Sequence, residues 1–232
     1  MSASISETIA LPGGAAQVEW RRSARARRVS LRVDPREGHI VVTLPPRTAR
    51  QAGMALLMNH AAWVVARLAA LPSAVPFADG AVVPLHGVAH RIRHDPAARL
   101  VRVEAGEIVV GGAPEFVARR VADFYRAEAG RVLSALVLQK AASAALRPRR
   151  VSVKDTSSRW GSCAADRSLA FSWRLVMAPP FVQDYVAGHE VAHLRHMNHG
   201  PRFWALVGQL TPHSAAAMAW LKREGPALLR VG

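Results

Sequence analysis

Cysteine is the first thing this chain lacks. Its 232 residues hold one, Cys163, so no intrachain disulfide framework can brace the fold. Long apolar runs are missing too. No stretch of 18 or more uncharged apolar residues occurs, which argues against a transmembrane helix. No basic segment opens the chain. The first twenty residues carry Glu7 and Glu19 and break at Pro12-Gly13-Gly14, unlike a secretory signal. Half of the residues are apolar and 20% are charged, a balance that supplies a core and excludes a fully disordered chain. The expectation is a soluble, cytoplasmic protein with no membrane partner.

Lysine is nearly absent. Lys140, Lys154 and Lys222 stand beside 28 arginines, against 16 acids and a net charge of +15. Such an excess attracts nucleic acid or another anionic partner. The densest stretch, Arg21-Arg22-Ser23-Ala24-Arg25-Ala26-Arg27-Arg28, holds five arginines and no acid. It reads either as a dock for nucleic acid or an acidic partner, or as charge protecting a sheet edge. No zinc-finger, KH or RRM signature accompanies it.

Periodicity predicts an α+β chain. Val29, Leu31 and Val33 alternate, as do Ile40, Val42 and Leu44, with a hairpin loop at Pro35–Gly38. A helix is expected from about Thr48 to Leu71, its buried side including Leu57, Trp63 and Val64. Short strands follow at 82–85, 89–93, 100–103 and 108–110. Gly111-Gly112 then marks a boundary. This gives a β-rich first part, residues 1–112, with one helix, and a mostly helical second part, residues 113–232. The second part opens on a long helix from Glu115 to about Leu146, ended by Pro148. Strands at 151–154 and 168–174 flank a loop at Ser158–Cys163. Pro179-Pro180 starts a helix running to about His196. Pro201 opens another, and a last one begins near His213.

Four of the ten histidines fall between His189 and His199. The segment His189-Glu190-Val191-Ala192-His193 is an H-E-x-x-H motif. Helical residues four apart differ by about 40° in azimuth and about 6 Å in rise, so two imidazoles can reach one metal ion. Neutral imidazole suits zinc. Glu190 can reach a metal-bound water without ligating the metal, the geometry of a general base. Two residues compete for third ligand. His196 lies about 10 Å further along the helix axis from His189, a poor fit to a tetrahedral ion. His199 fits if the helix ends and the chain folds back, which Asn198, Gly200 and Pro201 favour. Geometry prefers His199.

Beyond the motif itself, three segments carry a family pattern. They are Arg159-Trp160-Gly161-Ser162-Cys163, Phe171-Ser172-Trp173-Arg174-Leu175, and Asn198-His199-Gly200-Pro201-Arg202-Phe203-Trp204. Together with the His189 motif they resemble the YgjP-like metallopeptidases, relatives of SprT-like and other zincin proteins. The resemblance extends to Ala24–Arg28 and the strand after it. It implies a β-containing part before a zincin-like catalytic domain, zinc on His189, His193 and His199, and Glu190 as catalytic acid/base. It does not place a ligand at His196. His196 also stands where the metzincin pattern has glycine, which speaks against that group. The expected activity is hydrolysis of a peptide or protein substrate, held along an edge strand at Leu169–Arg174. A non-peptide amide also fits the motif. The alternative is a basic nucleic-acid-associated module whose zinc is structural or weakly active.

Other residues have plainer readings. Cys163 reads as a small residue packed in a tight loop. Trp173, Phe203 and Trp204 read as core. His86, His90 and His94 are spaced by four, but in strand-like sequence that spacing has no helical meaning, so no second metal site is expected. Tyr185, Arg159 and Arg202 could approach the reacting carbonyl, though structural roles suit them better.

Overall fold

The computed structural model describes residues 4–232 and divides them into two compact units after Ser73. The first unit carries four strands: β1 (Ser4–Leu11), β2 (Gly14–Arg22), β3 (Ser30–Asp34) and β4 (His39–Leu44), ordered β1-β2-β4-β3. β2 and β4 run parallel and the other pairs antiparallel. The Pro12-Gly13 break is the turn of a β1–β2 hairpin, and Gly13 takes φ +89°, which glycine adopts without a Cβ penalty. The hairpin expected at Pro35–Gly38 forms. The Asp34 carboxylate accepts the backbone N–H of Arg36 and of Glu37.

One helix was expected over 48–71, but two form: α1 (Arg50–Asn59) and α2 (Ala61–Ala69), bent by 68°. Asn59-His60 at the join are weak helix formers. The bend lets Leu57 of α1 and Val64 of α2 both enter the core with Val18, Ile40 and Val42. Trp63, expected on the buried side, is instead 50% exposed. Gly53 allows α1 to sit close on the sheet, since a Cβ there would lie within about 3 Å of Trp20, Leu44 and Val42.

The second unit holds two sheets and four helices. β5 (Val82–Leu85), β6 (Val88–His94), β7 (Arg102–Glu104) and β8 (Glu107–Val110) are ordered β5-β6-β8-β7. α3 (Val117–Ser143) follows, buried along Val121, Tyr125, Ala129, Leu133 and Val137. That four-residue spacing is one helical stripe. Val83, Ile92, Ile108 and Val110 share a single core with this stripe. The boundary expected near residue 112 therefore moves to Ser73: the strands before 112 bury their apolar face with α3 rather than in a core of their own.

A three-stranded sheet comes next: β9 (Arg150–Lys154), β10 (Gly161–Cys163) and β11 (Ser168–Ser172), with β11 in the centre. A 3₁₀ stretch, Trp173–Met177, leads to α4 (Pro180–His193), α5 (Pro201–Leu210) and α6 (Ser214–Leu228). The α+β class expected from periodicity holds. Among the described residues, no single helix is long and apolar enough to cross a membrane.

Candidate metal centre

Burial makes α4 a rigid platform. Val182, Val186, Val191 and Ala192 are enclosed in the core. Pro180 sits at the first helical position, where its missing N–H costs nothing. Lys140 of α3 anchors the same helix. Its ammonium lies 2.6 Å from Asp184 and donates to the Leu210 carbonyl at 2.7 Å. The Thr211 hydroxyl donates to Asp184 as well. Sequence reasoning missed this buried clamp, because a lysine paired across 44 positions has no local signature.

α4 stops at His193 and the chain turns before Pro201 opens α5. The turn brings His199 back over α4. Its Nε2 lies 3.2 Å from His189 Nε2. One ligand atom from each of His189, His193 and His199 falls within 4.8 Å of the others. Tetrahedral bonds of about 2.0–2.1 Å place two donors about 3.3 Å apart, so the observed separation suits one shared ion. The donor set is all imidazole, the chemistry zinc accepts.

Second contacts orient two of these rings. His193 Nδ1 meets the His196 carbonyl at 3.0 Å, which calls for a donated N–H and leaves Nε2 for a metal. The Tyr185 hydroxyl lies 3.5 Å from His189 Nδ1. His196 thus serves the site through its backbone and contributes no ligand atom to the cluster. Phe203 packs against all three imidazoles. Trp204, expected in the core, is 40% exposed and lies against His189 and His199.

Glu190 points into the protein rather than out to water. It is buried, and Gly161 of β10 lies directly against it. A Cβ at Gly161 would stand 2.5 Å from Glu190 Oε1. Burial pushes the Glu190 carboxyl up to about 7, while the Arg159 charge pulls the other way. Burial, then the charges of His193 and His199, push His189 down to about 4. Both shifts describe the protein without metal, and they act oppositely on stability. Glu190 contributes fully below 4.5, and that contribution is lost as pH rises through about 7. His189 contributes above 6.5, and its contribution is lost as pH falls through about 4. In metal-free Glu190→Gln the first titration disappears. Stability should then rise between pH 4.5 and 6.5 more steeply than in metal-free wild type. Urea unfolding across that range measures it, and parallel profiles would refute the assignment.

The expected edge strand needs correction. β11 ends at Ser172 and is paired on both sides, antiparallel to β10 and parallel to β9. The free edge beside Glu190 belongs to β10, which was expected to be loop. Cys163 lies at the end of β10, half-buried. Burial, then the Glu190 and Asp166 charges, push its thiol up against the Arg167 charge, the direction that disfavours a thiolate. The histidines at 86, 90 and 94 find separate partners in Glu128, the Val88 carbonyl and the Gly112 carbonyl. Among the described residues the only three-ligand group is the one on α4 and its turn.

Three imidazoles converge from a helix and its return turn in a group that could hold a metal ion, with a carboxylate next to the first. A family model for the YgjP-like metallopeptidase domain matches residues 27–224. The chain belongs to that family. No curated protein and no solved structure matches it.

Proposed function

We propose that this chain is a zinc-dependent peptidase with His189, His193 and His199 as metal ligands and Glu190 as acid/base. The observation that carries the reading is the pairing of a buried Glu190 with an unpaired strand edge, β10, beside three converging imidazoles. A zinc ion held there supplies a Lewis acid for the scissile carbonyl and an acidified water. The protein's residues do the rest. An extended substrate pairs its backbone with β10, which brings one peptide bond past Glu190. Glu190 takes a proton from the attacking water and returns it to the leaving amine. Tyr185 and the His196 carbonyl hold the ligand rings in place.

A peptide library analysed by mass spectrometry tests the reading. Zinc-loaded protein should cleave internal peptide bonds, chelation should abolish cleavage, and added zinc should restore it. Protein that holds one zinc yet cleaves no member of the library would contradict it.

A further inference from the structure

The first unit has charge and shape that the metal site does not use. It contains ten arginines, no lysine and four acids. Each acid already faces an arginine: Glu7 with Arg50, Glu19 with Arg21, Asp34 with Arg32, and Glu37 with Arg36. Arg25, Arg27, Arg28, Arg47 and Arg67 are exposed, and none has an ion pair among the described residues.

Topology gathers four of the five. β2 and β4 run parallel and end at Arg22 and Leu44, at the same end of the sheet. β3 begins at that end, with Ser30 paired to Thr43. The connection carrying Arg25, Arg27 and Arg28 therefore crosses this end, tied there by Ser23 N–H donating to the Leu44 carbonyl at 3.0 Å. Arg47 leaves from it. Val29 follows Arg28 directly and lines a groove of about 450 Å³ with Ser30, Leu31, Leu56, His60 and Trp63. The groove lies between edge strand β3 and the α1–α2 elbow. Arg67 follows Trp63 by four residues, on the same face of α2.

We infer that this groove binds single-stranded nucleic acid, with a base against Trp63 and the phosphates on Arg25, Arg27, Arg28 and Arg67. An exposed tryptophan presents a π-face to any base. Arginine forks phosphate oxygens and also stacks, which lysine cannot do. The apolar walls suit an unstacked base. A duplex keeps its bases paired inside and leaves such a groove unfilled. An acidic peptide added to β3 would use the arginines but leave the tryptophan face without a matched partner. The inference requires no peptidase activity, so either reading can fail alone.

The test uses the full metal-loaded chain and a fluorescent oligothymidine, followed by anisotropy. Binding should saturate at low salt. Trp63→Ala should weaken it about tenfold, and Trp63→Phe should keep most of it. The double variant Arg27→Glu/Arg28→Glu should weaken it at least about tenfold. It should also lower the slope of log affinity against log salt by about 1.4, for two phosphates lost. Arg67→Glu should act in the same direction. All four substituted positions are exposed, so melting temperature and bound metal should match wild type. Absence of saturable binding would overturn the inference. So would affinity that none of these variants changes, since the arginines of the second unit would then be responsible. Competition by duplex DNA or polyglutamate as strong as by unlabelled oligothymidine would overturn it too, the latter in favour of an acidic polypeptide.

Discussion

Glu190→Gln should lower peptide hydrolysis by about 10²–10⁴-fold, the range contributed by a positioned general base. The amide keeps the shape of the carboxyl group, so packing against Gly161 is preserved. It cannot accept the proton of the attacking water. The three imidazoles are unaltered, and bound metal should remain at the wild-type level. Turnover and metal content measured on the same preparation separate these effects. Full activity in the variant would remove Glu190 from the mechanism. Loss of metal would show that its carboxylate supports the ion itself.

Gly161→Ala tests the same base without touching it. The backbone at Gly161 is not in the left-handed region that favours glycine, so alanine is compatible with the strand. The added Cβ would lie 2.5 Å from Glu190 Oε1 and 2.6 Å from its Cγ. One of the two must move, and the Glu190 side chain yields more readily than a paired strand. A displacement of about 1 Å at a catalytic group can cost about 10²-fold in rate. Activity should fall by that order while bound metal stays unchanged. The effect should also vanish in the Glu190→Gln background, because a misplaced base and a missing base are not additive losses. A full additional loss in the double variant would mean that Gly161 matters through substrate binding along β10 instead.

The second prediction rests on a contact that spans 29 positions, and this marks where the sequence stopped being readable. The histidine cluster was legible because helical spacing and a Gly-Pro turn are local features: His189, His193 and His199 converge as those features imply. The companion of Glu190 was not, since nothing near Gly161 announces that its missing Cβ makes room for a carboxylate. The strand β10 was hidden for a related reason. Three residues, Gly161–Cys163, are too few to show alternation, and their pairing with Leu169–Phe171 is what makes them a strand. β11 was visible as a strand but mistaken for an edge, because strand order is a tertiary property. In the first unit, β2 buries Ala16, Val18 and Trp20 in alternation, yet the small Ala16 weakens that signal. Helix α1–α2 kept its apolar period through the bend, so periodicity reported one helix where Asn59-His60 divides two.

The central claim is that one ion sits among three particular histidines. Bound metal per chain, measured after zinc loading on wild type, His199→Ala and His196→Ala, tests it most directly. Wild type should hold about one zinc per chain, as a three-imidazole site requires. His199→Ala should lose it, since two imidazoles remain. His196→Ala should retain it, because the His193 ring needs only the carbonyl at that position. Wild type that stays metal-free, or a His196 variant that loses the ion while the His199 variant keeps it, would contradict the site.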